Sequence, residues 1–242
     1  MKFKLATLAV LLAASPAFAD FTNGPNPYAA GYGFDTPNEA SWGGWTRGDA
    51  NTLYAEWDTF NDVSYGTPTD RTAAPDVGSS GTSVAYLGWN NGTFKAGSGN
   101  LYNFSGPEIF QANLTGATAS GPLRAVLQTE AWGTDLDLTS VKLNGLAPTH
   151  FSLTYIDPAY PSSFGTVTLT QRLFYWDIAS APANFVFDFS SGPHMSLAQV
   201  AVDIAAAPVP EPESYAMLLA GLGLVGWQVR RRAQGISAQR GA

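Results

Sequence analysis

Cysteine is absent from all 242 residues, so no disulfide can staple this chain and its stability must come from a buried core. Basic residues are nearly as scarce in its body. Residues 20–210 hold six (Arg47, Arg71, Lys95, Arg124, Lys142 and Arg172) against seventeen carboxylates, a net charge of −11, whereas the whole chain carries −7 because its remaining basic residues sit at the two ends. Such a surface repels a phosphate backbone and the six cations form no stripe, which excludes nucleic acid and favours cations or neutral polymers as partners. Catalytic signatures are missing as well: there is no cysteine nucleophile, Gly-x-Ser-x-Gly elbow, His-Glu-x-x-His helix or phosphate-cradling glycine loop. The two histidines, His150 and His194, stand far apart in sequence at strand borders and lack the companions that a zinc site or a His-assisted serine needs. No segment before Tyr215 carries a helical stripe over three turns, which argues against a parallel sheet with crossover helices.

What is present begins with two processing signals. Lys2 and Lys4 precede an apolar run over residues 5–14, and Ser15, Pro16 and Ala17-Phe18-Ala19 follow, with small residues where a signal peptidase inspects them. Residues 1–19 therefore read as a signal helix removed before Asp20. About ten apolar residues are too few to span the ~30 Å hydrocarbon core. Export places the chain where disulfides are permitted, yet it uses none.

At the other end, Ala205-Ala206-Ala207-Pro208 reads as a linker. The Pro-Glu segment Val209-Pro210-Glu211-Pro212-Glu213-Ser214 follows, then an apolar helix over residues 215–229, then Arg230, Arg231 and Arg232. Fifteen helical residues rise only ~22 Å, short for a permanent anchor, while the three arginines hold that end on the cytoplasmic side. Pro210 and Pro212 keep the preceding stretch extended, the form in which a protease takes its substrate. This order of motif, apolar helix and basic cluster resembles the PEP-CTERM sorting signal, which is handled by membrane proteases of the exosortase type. The resemblance covers about the last thirty residues. It implies an exopolysaccharide-producing Gram-negative bacterium, with signal peptidase and exosortase as processing partners. It also implies an inner-membrane intermediate touching lipid through residues 215–229, then delivery to the cell surface or the surrounding matrix.

The division is thus a signal peptide at 1–19, a domain at 20–204, a linker with the Pro-Glu-Pro motif at 205–214, the helix and arginine cluster at 215–232, and a tail at 233–242. Residues 20–50, rich in Asn, Gly, Pro and aromatics, read as an irregular lead-in. Nine strands follow. Period-two alternation marks residues 151–155, 167–175, 185–189 and 199–204, and shorter runs bounded by turn residues mark 53–60, 83–89, 108–114, 123–132 and 136–143. The fold class this predicts is all-β: an antiparallel β-sandwich, jelly-roll-like, flanked by the two terminal helices. About 190 residues suffice for such a core, since a chain of that size buries roughly 70% of its unfolded surface.

Three kinds of site compete within the domain. Asp135 and Asp137, two apart on an expected strand, would point to one face and offer oxygens to calcium, or simply form a solvated face; Glu56 and Asp58, with Asp62 close by, make a second such pair. Glu108, Glu130, Asp157 or Asp177 would supply the two carboxyls of a secreted jelly-roll glycoside hydrolase if the fold brought a pair together. Trp42, Trp45, Trp57 and Trp89, with Tyr28, Tyr32 and Tyr65, would stack on sugar rings in a carbohydrate-binding module, and Trp42 and Trp45, separated by two glycines, are the expected exposed pair. The main expectation is a non-enzymatic surface or matrix protein with a structural or interaction role, contacting exopolysaccharide or other envelope components and needing no cofactor beyond an optional calcium.

Overall fold

A computed structural model describes residues 24–60, 71–208 and 218–225. The described residues form thirteen strands in chain order: β1 (Leu53–Trp57), β2 (Thr72–Ala73), β3 (Gly78–Ser80), β4 (Thr82–Trp89), β5 (Phe94–Lys95), β6 (Leu101–Tyr102), β7 (Glu108–Gly116), β8 (Leu123–Gly133), β9 (Lys142–Leu143), β10 (His150–Ser162), β11 (Gly165–Ile178), β12 (Phe185–Ser191) and β13 (Met195–Ala206). They make two sheets, and every pairing is antiparallel. The larger runs β10-β11-β8-β13-β1-β3, with β6 added to β13 and β5 to β6; the smaller runs β2-β4-β7-β12-β9.

Alternation builds the core between them. In β12, Phe185, Phe187 and Phe189 are buried while Val186, Asp188 and Ser190 face the other way, because successive side chains leave a strand on opposite sides. The rings meet residues from both sheets, Phe189 stacking on Phe110 of β7 and Phe187 meeting Trp176 of β11 edge-on at 5.4 Å. Leu53, Ala55 and Trp57 of β1 and Val200, Val202 and Ile204 of β13 join the same cluster, so one apolar core serves both sheets.

The central strands β8 and β13 depart from the expected half-buried pattern, being buried on both faces over nearly their whole length. The cause is the lead-in. Residues 24–52 contain no strand and lie across the outer face of the larger sheet as a strap, so that side chains pointing away from the core are covered too. The strap's turns are tight: a Cβ on Gly43 would sit 1.8 Å from the Pro37 carbonyl oxygen, so only glycine fits there.

All nine expected strands have counterparts, but the one expected at 136–143 shrinks to β9 plus an isolated bridge between Leu136 and Ser191. Its first half is a turn held by Asp137, whose carboxylate accepts from the backbone N–H and the hydroxyl of Thr139. The short strands β2, β3, β5 and β6 had no counterpart in the sequence reading, since two or three residues carry no readable period. The apolar C-terminal helix is described only at residues 218–225. No helix among the described residues is long and apolar enough to cross a membrane, and the remainder of the helix expected at 215–229 lies outside the described residues. The signal peptide, Asp62, Tyr65, the Pro210-Glu211-Pro212 motif and Arg230, Arg231 and Arg232 lie outside the described residues.

Candidate functional site

Two places concentrate polar chemistry, a closed seam under the strap and an open cleft at one pole of the larger sheet. The seam centres on Arg47, which the strap delivers to outward-facing residues of β1 and β13. Its guanidinium donates to both oxygens of Asp203 at 2.8 Å and to Glu56 at 3.2 Å. The cation stands 3.9 Å above the ring of Tyr54. Tyr28 and Tyr54 donate their hydroxyls to Glu56 Oε2, and Gln199 donates to Oε1. Burial pushes the carboxyls of Glu56 and Asp203 above their ordinary range, with Arg47 pulling back in both cases. Each carboxylate here is fully engaged by groups of the domain itself, so the seam joins strap to sheet and has no open position for substrate.

Further along the same face, Gln128 of β8 exchanges two hydrogen bonds with the backbone of Asp35, at 2.9 and 3.0 Å, and the N–H of Gly33 donates to Gln171. Gln171 and the Trp132 indole then donate to Glu130, whose carboxyl is raised by burial. Trp42 belongs to this layer. It is buried against Val126 and Leu173 and meets Trp45 edge-on at 5.8 Å, which corrects its expected exposure: a large ring on the strap is drawn into the apolar gap between strap and sheet. Trp45 is partly buried beside it; Trp57 and Trp89 are buried in the core.

The two acids of the expected calcium pair have different partners. Asp135 faces Arg172, which donates to both its oxygens; although burial opposes charge at Asp135, Arg172 and the Leu136 N–H outweigh it and lower its pKa. Asp137 is exposed in the Thr139 turn, its pKa lowered by the hydrogen bonds from Thr139. The two acids flank Leu136, which bridges to Ser191, and their carboxylates are taken up by different groups, Arg172 and Thr139. Among the described residues no group of three or more His, Asp or Glu is placed to hold a metal. The four carboxylates considered for hydrolysis are also dispersed: Glu130 in the covered face, Glu108 buried on β7, Asp177 paired with Arg124, and Asp157 capping the N–H of Ala159.

The open cleft has a volume of about 410 Å³. Tyr102 and His194 form one wall, Trp132, Gly133 and Thr134 the end of β8, and Ser162, Ser163 and Phe164 the β10–β11 hairpin tip, with Thr166, Val167, Ser196, Ala96 and Ser98 completing it. None of these side chains is a carboxylate, a lysine or an arginine. The Tyr102 hydroxyl and His194 Nδ1 lie 2.8 Å apart, and Tyr102 is backed by Phe104, which stacks on Phe94. His194 adopts a left-handed conformation (φ 70°), so that its N–H reaches the Asn103 carbonyl and its own carbonyl accepts from Thr134. Gly133 must be glycine for this approach: its φ is 86° and a Cβ would lie 2.5 Å from the His194 carbonyl oxygen.

Glu108 supports the wall from beneath. Its carboxyl accepts from the backbone N–H of Asn103, the immediate neighbour of Tyr102, and burial pushes its pKa up to about 9. Burial together with the Glu108 carboxyl raises the Tyr102 phenol further, so it remains a hydroxyl. Sequence reasoning missed this cleft because its residues come from five separate segments; Tyr102 and His194 alone are 92 positions apart.

The chain carries a PEP-CTERM protein-sorting motif, whose family model matches residues 208–232. That motif marks an exported protein handed to exosortase. No curated protein and no solved structure matches the chain.

Proposed function

We propose that this chain is a surface or matrix protein of an exopolysaccharide-producing Gram-negative bacterium, cut by exosortase at Pro210-Glu211-Pro212, whose domain at 20–204 acts by binding and not by catalysis. The observation that carries this reading is the sorting motif, which begins at residue 208, two positions after β13 ends at Ala206. Strand and motif are joined without an intervening domain, so the sandwich is the cargo that the signal delivers. Its two antiparallel sheets leave loops at their ends, where binding proteins place their contacts.

The structure supports binding over hydrolysis through the chemistry of its clefts. A glycosidase needs two carboxyls facing one space, typically about 5 to 9.5 Å apart. The polar cleft has none, and the two other described hollows, around Trp45 and around Leu146, contribute only Asp49. The role proposed is structural or adhesive.

The test is to express the full chain in isogenic hosts with and without exosortase and to follow its size and location. The expected result is a shortened form leaving the membrane fraction only where exosortase is present, and a full-length form retained there when Pro210, Glu211 and Pro212 are replaced by alanine. The same full-length form in both hosts would overturn the reading.

A further inference from the structure

We propose that the cleft between Phe164, Tyr102 and His194 binds a segment of neutral polysaccharide, with sugar rings against the two aromatic faces and sugar hydroxyls on Thr134, Ser196 and His194. This rests on the reading that the exported domain acts by binding, and it supplies the site and ligand class which that reading leaves open. Neither Trp42 nor Trp45, the aromatics that the sequence favoured, lines it.

The size of the cleft, about 410 Å³, falls within the range of roughly 300 to 1,000 Å³ that small ligands occupy. Its chemistry then narrows the ligand. A pyranose presents an apolar C–H face and a rim of hydroxyls, and it is recognised by a flat ring beside uncharged donors and acceptors. Here Tyr102 and the 84% exposed Phe164 supply rings while serine, threonine and histidine supply the polar partners. The domain is strongly acidic, yet no charged side chain lines this cleft, so it has no cation to hold an anionic polymer and no carboxylate cage for a metal.

The wall is also fixed before any ligand arrives. The Tyr102–His194 hydrogen bond, the Phe94–Phe104 stack and the anchoring of Asn103 by Glu108 hold the Tyr102 ring in place, which reduces the entropy lost when a ligand binds. Position completes the case. Ser196 in the cleft and Ala206 at the chain exit lie at opposite ends of β13, about 33 Å apart for ten steps of a strand. The sorting motif starts at the exit, so the cleft faces away from the membrane end of the molecule.

The experiment is affinity electrophoresis of the full-length protein, in a detergent without a sugar head group, through gels cast with a soluble β-glucan, a galactomannan, a xylan or the anionic polymer alginate. At least one neutral polymer should retard the wild type, and alginate should not. Phe164→Ala, at an exposed hairpin tip, and Tyr102→Ala should each weaken retardation by roughly five- to tenfold. Phe151→Ala, an exposed aromatic on β10 outside the cleft, should leave it unchanged. Absence of retardation by every neutral polymer overturns the proposal, as does Phe164→Ala behaving like wild type, or Phe151→Ala weakening binding equally. Processing in the isogenic hosts separates the two readings: if the chain is shortened there while the full-length protein binds no neutral polymer, the cleft alone falls, and if it is not shortened there while the full-length protein binds, the sorting account alone falls.

Discussion

Glu108 shows how a single buried side chain couples the domain to pH. Its carboxyl is raised from 4.5 to about 9, so between those values the folded state holds a proton that the unfolded chain has released. The sign follows: the contribution is fully present below about pH 4.5 and is lost as pH rises through about 9, at up to about 1.4 kcal/mol per pH unit. Glu108→Gln keeps a neutral acceptor for the Asn103 N–H and removes the titration. Urea unfolding of both proteins from pH 5 to 8.5 should show the wild type losing stability relative to the variant as pH rises; a pH-independent difference would contradict the assignment. Ion pairs at this scale are unequal. Arg47→Met leaves Glu56 and Asp203 buried without their cation and should cost ~3–5 kcal/mol, whereas Asp177→Ala, at a half-exposed pair with Arg124, should cost at most ~1 kcal/mol. Denaturant midpoints of the two variants measure the contrast directly.

The strap is the element that most changes how the larger sheet reads. Without it the outer face of β8 and β13 would be wet, and Gln128, Glu130, Gln199 and Asp203 would be ordinary surface residues; with it they are buried and hydrogen-bonded. Gln128→Leu removes both bonds to Asp35 and leaves that backbone N–H and carbonyl without their side-chain partner, at a cost of ~1–3 kcal/mol. Hydrogen exchange should rise at residues 33–36 while protection of β8 and β13 stays as in the wild type; equal loosening of those strands would contradict a strap that opens separately. The alternating phenylalanines of β12 made that strand legible in the sequence, and so did the polar–apolar alternation of β11. The strap was legible only as irregular chain, because what places it is a set of single contacts such as Arg47 with Asp203, 156 positions apart, and no local pattern encodes them. The same long-range closure hid the cleft. Trp42 and Trp45 were misleading for the converse reason: glycines around a tryptophan signal a turn, and here that turn tucks the Trp42 ring inward.

At the scale of the whole molecule the last strand of the domain is central. β13 lies between β8 and β1, and among the described residues β1 pairs only with β13 and β3, so the larger sheet closes only once the chain has been laid down as far as Ala206. A chain ending before Met195 should therefore lose cooperative unfolding altogether, by circular dichroism melts, whereas one ending after Pro208 should keep it; a folded product of the shorter chain would refute this. Such long-range pairing also makes folding slow, in the range of milliseconds to seconds. The sorting motif follows β13 directly, which puts processing next to the strand that finishes the fold and leaves the aromatic cleft at the opposite pole. That arrangement suits a domain that is delivered outward and holds matrix polymer there. The most direct measurement is sedimentation of the native protein with the matrix polysaccharide of its own cells, before and after enzymatic depolymerisation of that polymer. The account predicts that the protein pellets with intact polysaccharide and moves to the supernatant once the polymer is cut; a distribution unchanged by depolymerisation would contradict it.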